Sequence, residues 1–139
     1  MRIVFVFWLL FGGIAHLQAE TLVVAAGESF GVNVLGVDEI RLIYLGKKFR
    51  LGNQKILPLN LGIDNPLRNR FEQQVLGEDR DTLAHNWLQA HYLGHHAPKV
   101  LRSPETVAEF LTKIDHSMGY LDEETALKYH LKILFRLKE

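Results

Sequence analysis

Cysteine is absent from all 139 residues. Structural disulfides, thiol nucleophiles and thiolate metal sites are therefore excluded. An excess of one charge is missing too: 16 Lys and Arg face 16 Asp and Glu, with no long run of either sign. A nucleic-acid surface needs clustered cations to displace counterions, so that class of partner is excluded. There is no low-complexity tract and no internal repeat. No G-x-S-x-G elbow is present to present a serine nucleophile, and nothing favours an enzyme or a resident cofactor. What remains is the composition of an ordinary globular protein, 47% hydrophobic and 23% charged. The length suits one domain better than two.

The first nineteen residues stand apart. Arg2 is a short positive region, Ile3 to Leu10 is continuously apolar, and Phe11-Gly12-Gly13-Ile14-Ala15 extends it. Leu17-Gln18-Ala19 then places a small residue before the acidic Glu20. This pattern predicts a signal peptide over 1–19, cleaved after Ala19, and one domain over 20–139. The apolar run is shorter than the roughly 20 residues a spanning helix needs. No Cys follows it to carry a lipid. An exported chain without disulfides must be held by its core alone, which fits a bacterial periplasmic domain.

Thr21 to Ala26 is a short β-branched and apolar run, read as a buried strand ended by Gly27. A Gly-rich connection to Gly36 follows. Val37 to Leu45 shows helical spacing at Val37, Ile40, Ile43 and Tyr44, with Asp38 and Glu39 in the first turn and Gly46 as the stop. Phe49 to Gln54 reads as a turn, and Lys55 to Leu61 as the second strand. The next helix carries a stripe of Leu67, Phe71, Val75 and Leu76, which leaves Arg68, Arg70, Glu72 and Gln73 outside. A third helix, capped by Asp79 or Asp81, runs to about Tyr92 with Leu83, Trp87, Leu88 and His91 near one face. His95 to Val100 reads as a loop. Ser103 caps a fourth helix with Pro104 at its first position, and Ser117 to Leu121 is a short strand.

At the end of the chain two periods compete. Leu127, Leu131 and Leu134 have helical spacing. Tyr129, Leu131, Ile133, Phe135 and Leu137 alternate with polar neighbours, and period two wins by number. The expectation is a strand from about Tyr129 to Leu137, half exposed or at an edge. The order β-α-β-α-α-α-β-β predicts one α/β layer domain.

The turn between the second strand and the second helix is the first candidate site. Asp64 or Asn65 caps the helix, and Pro66 fits its first position. Helix N-termini hold small anions, through the N–H groups of Leu67 and Arg68 and the Arg68 side chain here. The ordinary alternative is a capped helix start that binds nothing. Ser29 and Ser117 are further crevice candidates, since ligands in open α/β sheets sit at strand carboxyl ends. Each also reads as a plain turn hydroxyl. His85, His91, His95 and His96 invite a metal reading. However, Gly94 interrupts the His91/His95 pair and no acid lies close by, so no metal site is assigned. Asp122-Glu123-Glu124 reads as a solvated acidic turn, and Phe71, Trp87, Tyr92 and Phe110 as core.

Three stretches resemble a known family. Asp38 to Lys47, DEIRLIYLGK, resembles the "eL..IFlGK" segment of the PstS-like phosphate-binding proteins of ABC transporters. Ser103 to Leu121, SPETVAEFLTKIDHSMGYL, resembles their "s.eeV..fV..tpGaIGYv" segment. Asn65-Pro66-Leu67 stands where that family has its Ser-Gly-Thr turn, and Asp64 places a negative charge beside it. The resemblance implies a periplasmic-binding-protein-like lobe, a mixed β-sheet flanked by helices, in a short single-lobe form. It implies a non-catalytic, solute-binding-like protein for a small oxyanion such as phosphate, working with a membrane transporter. The alternative is a periplasmic accessory module that keeps the lobe fold, binds no ligand, and partners a sensor or other membrane protein. Oligomeric state is not legible, and dimerisation would be one way to replace a second lobe.

Overall fold

The computed structural model describes residues 20–138. The expected signal segment lies outside the described residues. Seven strands and five helices follow one another: β1 (Leu22–Ala26), α1 (Val37–Tyr44), β2 (Arg50–Leu51), β3 (Gln54–Lys55), β4 (Leu57–Leu61), α2 (Pro66–Arg70), α3 (Arg80–Tyr92), β5 (Lys99–Leu101), α4 (Pro104–Lys113), β6 (Ser117–Asp122), α5 (Glu123–Lys128) and β7 (Lys132–Arg136). Helix α2 continues without a break into a π-helical segment, Phe71–Leu76. Among the described residues, no helix is long and apolar enough to cross a membrane.

Five strands form one sheet in the order β5-β4-β6-β1-β7, and β2 and β3 make a separate hairpin. Strand β4 runs parallel to β5 and β6, whereas β1 runs antiparallel to both β6 and β7. The carboxyl ends of β4, β5 and β6 therefore share one end of the sheet with the start of β1. All of β1 and β6 is buried, as expected for central strands covered on both faces.

Successive β6 residues point to opposite faces. Gly119 faces α4: a methyl group built on it would lie 2.9 Å from Val107 Cγ1. Tyr120 faces the other layer, where its ring stacks on Phe71 at 3.9 Å between centroids and tilts against Tyr44 at 6.1 Å. The sheet is thus sandwiched, with α4 on one side and α1 with the π segment on the other. This is the expected α/β lobe with a mixed sheet flanked by helices.

Several boundaries differ from expectation. The supposed turn at 49–54 is a hairpin, made possible by Gly52 at φ +60°. Lys55 belongs to it, so β4 starts at Leu57. The supposed loop at 95–100 supplies β5, an edge strand that borrows its register from β4 through Leu59↔Lys99 and Leu61↔Leu101. Asp122-Glu123-Glu124 is not a solvated turn. Asp122 is buried and caps α5, accepting from the Thr125 N–H at 2.9 Å and the Thr125 hydroxyl at 2.7 Å. The expected last strand starts late: α5 ends at Lys128, Tyr129 and His130 form a turn with His130 at φ +56°, and β7 begins only at Lys132. Strand β7 is an edge strand, as the alternation predicts. In α3, Leu88, His91 and Tyr92 are exposed while Leu83 and Ala90 are buried, so Tyr92 is no core aromatic.

Candidate functional site

Helix α2 begins as its sequence dictates. Asn65 is extended, its side chain accepts the Leu67 N–H at 2.9 Å, and Pro66 occupies the first turn. The Asn65 carbonyl accepts the Arg68 N–H at 3.0 Å. Both amides expected to meet an anion are thus already bonded within the turn. The Asn65 N–H is bonded as well, to the Gly62 carbonyl at 3.0 Å.

The Arg68 side chain does not lie outside the helix. It is 11% exposed and reaches back beneath the turn. Its Nη1 donates to the Leu61 carbonyl at 3.0 Å and its Nε to Glu72 Oε1 at 2.6 Å. The guanidinium carbon sits 5.9 Å from the centre of the Trp87 ring, within cation–π range. Trp87 is itself fixed by donating Nε1–H to the Tyr44 carbonyl at 2.8 Å.

Glu72 is also inside, with only 5% of its side chain exposed. Two causes combine. The π turn that starts at Phe71 is wider than an α turn, so the 3.6-residue stripe no longer assigns faces. The carboxylate is also neutralised from two sides: Oε1 takes Arg68, and Oε2 faces Arg80 Nε at 3.4 Å. Arg80, 41% exposed, donates further to the Ile63 carbonyl at 2.9 Å and Asn69 Oδ1 at 2.6 Å. One carboxylate is therefore gripped by two guanidinium groups at the carboxyl end of β4. An open depression of about 420 Å³ lies against Glu72 and Arg80, with Glu78 and Asp79 also on its wall. The Thr82 N–H bonded to the Asp79 carboxylate lowers its pKa, so this wall stays anionic.

Behind the ion cluster lies a buried polar pair. The Tyr120 hydroxyl donates to Asn60 Oδ1 and accepts the Leu61 N–H at 3.1 Å. Tyr44 donates to the Leu59 carbonyl at 2.7 Å. Burial pushes both phenol pKa values up, and for Tyr44 the nearby Tyr120 adds to the effect.

The expected site residues do not all meet. Asn65, Leu67 and Arg68 lie at the carboxyl end of β4. Ser117 pairs with Leu57, at the opposite end of the sheet, and its buried hydroxyl donates to the Ile114 carbonyl at 2.6 Å. Ser29 follows Ala26, whose partner is Met118, so it lies at that opposite end too; its hydroxyl donates to Asp115 at 2.8 Å. The carboxyl-end rule fails for Ser29 because β1 runs against β4 and β6. Arg80 was missed because it comes from another helix, eight residues beyond Glu72, with no local signal. Glu72 was visible only as a charge next to the apolar stripe. Among the described residues, no group of three or more His, Asp or Glu is placed to hold a metal ion. The break at Gly94, φ +84°, separates His91 from His95 as the sequence suggests.

The sheet order, the mixed strand directions and the two helical layers define a single lobe of the periplasmic-binding-protein type. Among solved structures the chain is similar to an ABC-type phosphate transport receptor from Vibrio cholerae, with 15% identity and a TM-score of 0.65 over 83% of this chain and 45% of that one. It is similar to PstS from Borrelia burgdorferi, at 14% identity and a TM-score of 0.65, over 83% and 46% of the two chains. It is also similar to a protein from Clostridium perfringens described as a phosphate ABC transporter substrate-binding protein and solved with phosphate bound, at 13% identity and a TM-score of 0.67, over 83% and 44%. The chain spans less than half the length of each of these structures. At such identities the likeness establishes the fold. No protein-family model and no curated protein matches the chain.

Proposed function

We propose that this protein is an exported, non-catalytic, solute-binding-like module whose ligand is a small oxyanion such as phosphate. The observation that carries the reading is the grip of Arg68 and Arg80 on the Glu72 carboxylate. A carboxylate is itself a planar oxyanion, and charge-assisted bonds from two guanidinium groups are what oxyanion recognition uses. Glu72 holds the place, and a ligand entering from the adjacent depression competes with it at the carboxyl end of β4, beside the Asn65–Arg68 turn. The similarity to phosphate-binding proteins of the same lobe fold supports this assignment. Glu78 and Asp79 on the wall oppose the ligand, so binding by the wild type is weak. Export through the 1–19 segment, and delivery of the ligand to a membrane transporter, complete the proposal.

Calorimetric titration with phosphate, sulfate and acetate tests it, comparing wild type with Glu72→Gln. The variant frees two cations and is expected to bind at least about tenfold tighter, or 1.4 kcal/mol. Silence from both proteins towards all three anions overturns the oxyanion reading. For export, a mature N-terminus at Glu20 is expected when the protein is recovered from bacterial periplasm.

A further inference from the structure

A second cavity lies at the other end of the sheet, where β4 begins and β6 has not yet started. It encloses about 260 Å³, just below the roughly 300–1,000 Å³ of typical small-ligand sites. Its floor is apolar, made by Ile43, Ile56, Leu57 and Pro58. One wall is Phe49 stacked face to face on His95, with ring centroids 3.3 Å apart and planes 13° from parallel. The floor offers no free backbone donor at its centre: the Ile56 N–H is bonded to the Phe49 carbonyl and the Leu57 N–H to the His116 carbonyl, both at 2.8 Å.

The rim has the opposite character. Lys48 and Lys55 border the cavity, and the adjoining depression adds Lys47 and Arg50. Among the described residues, no Asp or Glu lines either part. Glu39, 3.5 Å from Lys48, neutralises one of these cations. In a chain whose charges balance overall, these cations gather around an aromatic, apolar hole.

We propose that this cavity is a binding site for a small organic anion with a flat apolar body, such as an arene carboxylate or sulfonate. The ring would lie on the Ile56–Pro58 floor against the Phe49/His95 wall, which accounts for the size and apolarity of the hole. The anionic group would remain at the mouth among Lys47, Lys48 and Lys55, where partial hydration keeps the desolvation cost low. An inorganic oxyanion lacks the apolar body this floor selects. A neutral arene lacks the charge the rim selects. The site is independent of the Arg68–Glu72–Arg80 cluster, which lies across the sheet.

The test titrates the purified protein with 1-naphthoate, 1-naphthylmethanol and inorganic phosphate, by calorimetry and by amide chemical-shift mapping. The expected result is binding of 1-naphthoate at least about tenfold tighter than the alcohol, with shifts centred on Phe49, Ile56 and His95. The Lys47→Glu/Lys55→Glu double variant alters two exposed side chains. It is expected to keep the wild-type melting temperature and lose at least about tenfold in naphthoate affinity. Any one of four outcomes overturns the proposal: no naphthoate binding at about millimolar concentration, equal affinity for the neutral alcohol, undiminished affinity in the double variant, or shifts centred on Arg68 and Arg80.

Discussion

Glu72 and Arg68, one helical turn apart in sequence, form a largely buried ion pair at 2.6 Å, with Arg80 closing on the second carboxylate oxygen. This pairing decides how the end of β4 behaves. A cation that looks available in the sequence is already committed inside the molecule. The Asn65–Arg68 backbone is committed in the same way, to its own cap. In the function proposed above, binding there would exchange one carboxylate for another oxyanion, which would make Glu72 the controlling residue.

The exchange has a stability cost that can be measured. Glu72→Gln leaves Arg68, 11% exposed, beside a neutral amide. Removing one partner of a buried pair costs about 3–5 kcal/mol, and the partly exposed Arg80 moves the expectation to the lower end, about 3 kcal/mol. Urea denaturation checks this. Adding sulfate is expected to recover part of the loss in Glu72→Gln and little in wild type, because a bound anion stabilises the state that holds it.

Much of the fold was legible because local rules agree with it. TLVVAA, the capped Asn65-Pro66 and Ser103-Pro104 helix starts, and the period-two alternation ending in an edge strand all became the elements they predict. What stayed hidden depends on partners distant in sequence. Lys99–Leu101 is a strand only because β4 offers it a ladder. The ends of the sheet at which Ser29 and Ser117 lie follow from the direction of β1 and the register of β6, which no local pattern encodes. Glu72 is buried because a π turn redirects it and because Arg80 arrives from another helix. The candidate turn was found, but the state of its donors was not.

Asp122 shows how an acidic run can be structural. Its carboxylate takes both the N–H and the hydroxyl of Thr125 while buried under α5. Asp122→Ala is expected to cost about 1–2 kcal/mol, the upper range for a lost helix cap. Asp122→Asn keeps an acceptor and is expected to lose less than half of that. Thermal denaturation of the two variants side by side checks the order. Equal losses would mean that the charge, and not the cap, matters there.

Gly119 is required by packing and not by backbone conformation. A Cβ on it would meet Val107 Cγ1 at 2.9 Å and Leu59 Cβ at 3.3 Å, both on buried residues. Gly119→Ala is therefore expected to destabilise the protein by about 1–3 kcal/mol, the usual cost of overfilling a packed core. Pairing it with Val107→Ala makes room for the new methyl. The double variant should lose less than the sum of the two single losses, and chemical denaturation of all four proteins measures that coupling.

Tyr44 and Tyr120 set the alkaline limit. Both are buried, and burial raises both phenol pKa values above the ordinary one near 10. In the unfolded chain the two hydroxyls ionise from about pH 10 upward, while in the folded protein they keep their protons. Above that pH the folded state binds more protons than the unfolded state, so stability falls as pH rises. Each retained proton contributes about 1.4 kcal/mol per pH unit, or about 2.7 kcal/mol per unit for the pair. Below about pH 9 neither tyrosine makes stability depend on pH. Phenolate absorbance in a pH titration should therefore show two of the four tyrosines ionising only in step with the loss of far-ultraviolet circular dichroism. Tyr120→Phe removes one of the two and should roughly halve the slope of stability against pH above 10, even though losing the bonds to Asn60 and Leu61 lowers stability at neutral pH. Ionisation of Tyr44 and Tyr120 near pH 10 in a chain that is still folded would show that the interior around them admits water.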